Sequence, residues 1–243
     1  MDSNGNGRKG RWWHLPRRRS SIEEFLAPYR RVALQLHHDL PRPDHSRSAL
    51  VVTASASPLS ARVSLTLASC LAEELGRRVL VIDACPRRPE LNLLLGTGES
   101  PGFADLLCEA ECRFDDFVLP TTQENVFFLP AGRHRGFTIM GRREKFEELL
   151  RKAESEYEFL LIAGGPVLNE TLPLVLTPSV GFVLLAIVEN ETTVDELEEA
   201  QEALHRNRPR NIGLILTTPI GRDLWPVRDA ADALAGPESS ETR

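Results

Sequence analysis

The chain has no apolar run approaching the roughly 20 residues that a membrane-spanning helix needs. Its first residues are polar and basic and lack the apolar core of a signal peptide. The expectation is a cytoplasmic protein. Cysteine is scarce: Cys70, Cys85, Cys108 and Cys112 make the full set, which fits a compartment where thiols stay reduced. Cys108 and Cys112 are four apart and could share a helix face. Without a neighbouring His or a CxxC pair they read as ordinary small residues, and no metal site is expected. Tyrosine is scarcer still, with only Tyr29 and Tyr157. Residues 53–63 hold neither glycine nor lysine.

Against these absences stands an ordinary globular composition, 42% hydrophobic and 26% charged over 243 residues, enough for one substantial core. Charge is uneven. Arg8, Lys9, Arg11, Arg17, Arg18 and Arg19 against Asp2 give the first 19 residues +5; the whole chain carries −6, so the remainder carries −11. An acidic body argues against nucleic acid as a partner, because neutralising phosphates needs a basic face. Residues 1–20 lack hydrophobic periodicity and read as a disordered tail. Within it, Trp12 and Trp13 lie among the six basic residues, a mixture suited to an anionic membrane surface. A solvated tail, or one folded back on the acidic body, is the other reading.

Residues 21–48 read as a helix and a linker. Ile22, Phe25, Leu26, Tyr29, Val32, Leu34 and Leu36 mark the helix, with Pro28 expected in its first turn. From residue 49 to 236 short apolar runs alternate with helical segments. The runs are ALVVT (49–53), RVLVID (78–83), NVFFL (125–129), YEFLLIA (157–163), VGFVLLAIV (180–188) and NIGLILT (211–217). Helices are expected over 63–75, 102–107, 142–156, 192–206 and 224–234, and a short tail follows from 237 to 243. Strands apolar on both faces and separated by helices mean an α/β fold: three layers, with a mainly parallel sheet of about seven strands. Ligands of such sheets bind beyond the carboxyl ends of the strands, so the turn 54–62 is where phosphate chemistry belongs.

A phosphate loop uses glycines to wrap backbone N–H groups around the phosphates, Lys for charge, and Ser or Thr for magnesium. Here the segment reads TASASPLSARV. The strand–loop–helix frame is present and the phosphate-binding residues are missing.

Six pieces carry a resemblance: VLVIDACPRRPELNLLLG (79–96), PGFADLL (101–107), LPAG (129–132), FEELL (146–150), EFLLIAGGP (158–166) and IGLILT (212–217). In order and spacing the chain resembles the kinase domain of bacterial tyrosine kinases of capsule and exopolysaccharide export, relatives of the MinD/ParA-type P-loop ATPases. The family pattern reads roughly VLLIDADLRRPxLHxxLG, xGLxDxL, LPAG, FxxLL, YDxVIIDTPP and xGVVLN. The resemblance implies that fold and, in a complete member, ATP and magnesium as cofactors.

The departures fall on the chemistry. One frame puts Ala61 at the family's P-loop Lys and Arg62 at its Ser/Thr; a frame one residue later puts Arg62 and Val63 there. Asp83 is retained, but the next acidic position is Cys85. The magnesium-side Asp of the third motif is Ala163, and the adenine-side Asn is Thr217. Of the Glu-x-x-Arg-x-x-Arg helix used for subunit contact, at Ala27, Arg30 and Ala33, one Arg is left. No C-terminal tyrosine cluster exists. The resemblance therefore implies a degenerate member with no catalytic residues at the eroded positions Ala61, Arg62, Cys85 and Ala163, and no cofactor. As such it would be an accessory or regulatory protein docking on a membrane polysaccharide copolymerase, chain-length regulator or export component, at the inner face of the cytoplasmic membrane. The alternative is a weakly active ATPase or tyrosine kinase using ATP and magnesium through Arg62, Asp83 and Thr217. Arg87 and Arg88 keep the family's RRP and either bind an anion or brace the loop. His134, between Arg133 and Arg135, has no partner implied by spacing and reads as part of a solvated basic loop. The acidic run 195–202 reads as a solvated helix face.

Overall fold

The computed structural model describes residues 16–39, 47–109 and 112–217. The basic residues Arg8, Lys9 and Arg11, the Trp12–Trp13 pair, the helix expected over 224–234 and the tail 237–243 lie outside the described residues. So do the side chains of Arg17, Arg18 and Arg19.

Seven strands form one sheet in the order β3-β4-β2-β5-β1-β6-β7. These are β1 (Ser48–Thr53), β2 (Val79–Asp83), β3 (Leu119–Pro120), β4 (Val126–Leu129), β5 (Phe159–Pro166), β6 (Phe182–Val188) and β7 (Ile212–Thr217). Every pairing is parallel except β3 with β4. The expected three-layer architecture is what the chain adopts. The short β3 edge strand was not anticipated, since two residues carry no periodicity.

The period of two divides the core. On β1, Ala49 and Val51 face one apolar cluster; Leu50 and Val52 face the other. Helices α1 (Pro16–Asp39) and α2 (Leu59–Leu75) cover the first face. Residues of α4 (Phe103–Cys108), α5 (Arg143–Glu156) and α7 (Val194–Arg206) cover the second. Two short α-helices are also present among the described residues, α3 (Glu90–Leu95) and α6 (Leu172–Leu176). Burying one such Val, Leu or Phe side chain is worth about 1.5–3 kcal/mol, which is why doubly buried strands read as unbroken apolar runs.

One expectation needs correction. Helix α1 starts at Pro16 and runs through Pro28, so residues 16–20 are helical and Pro28 is interior. An interior Pro costs a helix about 3 kcal/mol. Tertiary packing offsets it: Tyr29, Ala33 and Leu36 are buried in the core and Phe25 packs against it. Pro16 takes the first helical position, where a missing N–H costs nothing.

Candidate functional site

The turn after β1 meets the carboxyl ends of β2 and β5, as the sheet topology requires. Ser57, Ser60 and Ala61 come from the turn and the start of α2. Asp83, Cys85, Arg88 and Glu90 follow β2, and Ala163, Gly165 and Pro166 end β5. Together they enclose a cavity of about 10 Å³. That is room for one water, far below the roughly 300–1,000 Å³ of ligand-sized pockets. Ala61, at 1% exposure, is part of the apolar core. Arg62 is not among the cavity's walls, which favours the frame placing Ala61 at the Lys position. The hydroxyls of Ser57 and Ser60 and the Glu90 carboxylate went unnoticed in the sequence, because none sits at a motif position.

No residue of the turn has a positive φ. The backbone therefore runs straight into α2, with Arg62 N–H donating to the Pro58 carbonyl at 3.2 Å. Alternating αR and αL residues, which turn successive N–H groups toward one anion, are not found there. The positive φ at this end of the sheet belongs to Gly165, at +75°. Gly164 is skipped in the pairing of β1 with β5, a bulge that sets Gly165 opposite Val52 of β1. A Cβ on Gly165 would stand 2.3 Å from the Cys85 sulfur.

Asp83 is buried, and its carboxylate accepts three backbone N–H bonds: from Cys85 at 3.0 Å, Leu91 at 3.0 Å and Asn92 at 3.3 Å. Two of these donors are orphan groups in the first turn of α3, so Asp83 acts as its N-terminal cap. Burial pushes its carboxyl up to about 7, opposed by the three N–H donors. Cys85, at the position where the resemblance expects an acid, is a half-buried thiol whose pKa is raised mainly by desolvation. Ala163 sits opposite Asp83 in the sheet register and offers only a methyl group.

The remaining candidates disperse. Arg87 approaches Glu170 and Arg88 approaches Glu90, each at 3.8 Å, so both candidate anion ligands already face carboxylates. The Arg88 N–H closes a turn onto the Cys85 carbonyl. Thr217 donates to the Ile187 carbonyl at 3.2 Å and lies on β7, outside the cavity walls. Arg30 pairs with Glu23 and Glu74 of the same chain, both at 2.7 Å. Thr193 and Glu196 form a capping box that starts α7, whose acidic residues are largely exposed.

His134 corrects the sequence reading: its Nδ1 lies 2.5 Å from Asp105 Oδ1. Asp105 also accepts N–H bonds from Gly102 and Arg133. Asp105, Glu109 and His134 bring ligand atoms within 4.8 Å of one another, but with those bonds Asp105 buttresses the turn that holds His134. A partner 29 residues away in sequence leaves no spacing signal.

No family model matches the chain. It is 28% identical over 145 residues to the tyrosine-protein kinase wzc of Salmonella typhi, an alignment covering 58% of this chain and 20% of that protein. The chain is a relative of the bacterial tyrosine-protein kinases. It spans about a fifth of the length of the curated relatives it matches. The kinase domain of the Escherichia coli tyrosine kinase ETK superposes with a TM-score of 0.71 at 22% identity, over 81% of this chain and 76% of that one. The MinD cell division protein of Aquifex aeolicus gives 0.55 at 17% identity, over 77% and 79%. These superpositions show the fold, that of P-loop nucleotide-binding proteins.

Proposed function

We propose that this chain is a non-catalytic relative of the bacterial tyrosine kinases, serving as an accessory or regulatory protein in exopolysaccharide and capsule biosynthesis and export. The observation that carries the reading is the cavity of about 10 Å³ where nucleotide phosphates would lie, walled by Ala61, Cys85 and Ala163 instead of a cation and acids. Phosphoryl transfer rests almost wholly on positioning and electrostatic stabilisation, and one lost preorganised contact costs about 2.7–4 kcal/mol. Two such losses suppress turnover by several powers of ten. Magnesium and ATP do not fit this residue set: Asp83, the one retained acid, is spent on backbone N–H groups. Tyr29 and Tyr157 are buried at 5% and 6% exposure, unsuited as phosphate acceptors.

On this reading the domain keeps a kinase-like surface and docks on a membrane polysaccharide copolymerase, chain-length regulator or export component. Its basic tail, with Trp12 and Trp13, holds it near the anionic inner leaflet, where each basic side chain is worth about 1 kcal/mol. The test is rescue. A strain lacking the gene should make altered or less surface polysaccharide, and the chain carrying Arg62→Ala should restore it as well as the parent does. Failure of Arg62→Ala at normal protein level would instead support a weak ATPase or kinase using that cation.

A further inference from the structure

Helix α4 ends on two carboxylates one turn apart. The Glu109 N–H donates to the Asp105 carbonyl at 2.8 Å, so both side chains leave the same helix face. Asp105 is buried, and its two oxygens do different work. Oδ2 accepts N–H bonds from Gly102 and Arg133, at 2.8 and 3.0 Å. Gly132, at φ +93°, lets the turn after β4 pass so close that a Cβ there would stand 2.7 Å from Oδ2. Oδ1 faces His134 Nδ1 at 2.5 Å. The Cys112 thiol donates to Glu109 Oε2 at 2.9 Å, and ligand atoms of Asp105, Glu109 and His134 lie within 4.8 Å of one another. Among the described residues no Lys or Arg forms an ion pair with either carboxylate. Lys145 reaches the Glu109 carbonyl instead, at 3.3 Å.

We infer that Asp105, Glu109, His134 and Cys112 form a binding site for a divalent cation of the zinc class, tying the end of α4 to the turn after β4. Two carboxylates this close, with no fixed Lys or Arg between them, favour a positive ligand. An imidazole and a thiol beside them select a borderline ion such as Zn²⁺ over Mg²⁺ or Ca²⁺, which take oxygen ligands. Tetrahedral zinc holds N, O and S donors at about 2.0–2.3 Å, which sets neighbouring donors roughly 3.4–3.6 Å apart. The His134–Asp105 and Cys112–Glu109 contacts therefore open by about an ångström or less as the ion enters and the thiol proton leaves to solvent. Asp105, oriented by two backbone N–H groups, is the fixed ligand. The more exposed Glu109, Cys112 and His134 close on the ion from the surface. Spacing hides the site, because Cys112 has no His near it in sequence and His134 arrives through the fold.

Titration of the untagged, metal-stripped full chain with Zn²⁺ tests this. One Zn²⁺ per chain should bind with micromolar or tighter affinity, and Co²⁺ in its place should show the visible bands of tetrahedral coordination with a near-ultraviolet thiolate transition. His134→Gln and Cys112→Ser should each weaken Zn²⁺ binding about tenfold or more, with circular dichroism unchanged. His205→Gln, at an exposed histidine of α7, should leave the affinity unchanged, and millimolar Mg²⁺ should not compete. Failure to saturate at high micromolar Zn²⁺ would overturn the inference. So would full affinity in either the His134 or the Cys112 variant, an equal loss with His205→Gln, or displacement of Zn²⁺ by millimolar Mg²⁺.

Discussion

At the carboxyl end of β4, Gly102, Asp105 and the turn Pro130–Gly132 interlock. Phe103 N–H donates to the Pro130 carbonyl at 2.7 Å, and Asp105 accepts from Gly102 N–H at 2.8 Å and Arg133 N–H at 3.0 Å. At the carboxyl end of β1, Ser57 of the turn and Ser60 and Ala61 of α2 line a cavity of one water's volume. Both corners carry motif positions of the kinase resemblance, and on the proposed reading only the first keeps its residues. The difference lies in what each residue holds. Gly102 and Asp105 hold the backbone, whereas the Lys and acids that the resemblance expects at Ala61, Cys85 and Ala163 would hold a ligand. Ala61, Cys85 and Ala163 bring no charge that needs a partner, so on the proposed reading ligand residues can be exchanged while the fold stands.

The largest break of that contrast is Gly102→Ala. Its Cβ would lie 2.0 Å from the Pro130 carbonyl oxygen, so the backbone must shift. The expected loss is about 3 kcal/mol, read as a fall in the urea midpoint at unchanged m-value. A loss below about 1 kcal/mol would mean that the corner is loosely built.

Asp83 sharpens the comparison, because it belongs to a chemical motif yet serves the fold. Asp83→Ala orphans three N–H groups and should cost about 2 kcal/mol. A stabilised variant would instead mark Asp83 as a strained ligand residue. The pH dependence has a definite sign. Folding raises the Asp83 carboxyl to about 7, from about 3.9 in the unfolded chain. The folded state thus holds the proton more tightly, and its contribution is fully present below about pH 4 and lost as pH rises through about 7. Stability of the parent relative to Asp83→Asn, measured by urea unfolding from pH 4 to 8, should fall over that window and then level off.

Arg30→Ala gives the smallest effect. Its pairs with Glu23 and Glu74 lie at the surface, where salt screens them. Thermal unfolding should barely move, and less so in high salt. A clear change in oligomeric state would return Arg30 to the subunit-contact role of the family helix.

Much of the fold was legible because buried parallel strands announce themselves as apolar runs, and VLVID and FLLIA landed as strands β2 and β5. Ala61, Cys85 and Ala163, singled out in the sequence from three separate motifs, line one cavity. What escaped rests on contacts remote in sequence. Helix α1 passes Pro28 because Tyr29 and Leu36 are buried against other elements. Asp83 caps α3, a helix of six residues too short to show a period. His134 finds Asp105 through the fold alone, and Thr217, read as a nucleotide residue, lines an open groove between α1 and β7.

Calorimetric titration of the full chain with Mg-ATP, paired with thermal unfolding at the same concentrations, addresses the central claim most directly. Ligand stabilisation follows RT ln(1 + [L]/Kd), about 2.7 kcal/mol at 100 times Kd. With Ala61 and Ala163 lining the cavity and no positive φ in the turn, the proposed reading predicts no binding heat and no shift in Tm at millimolar nucleotide. Saturable micromolar binding with a rising Tm would contradict it.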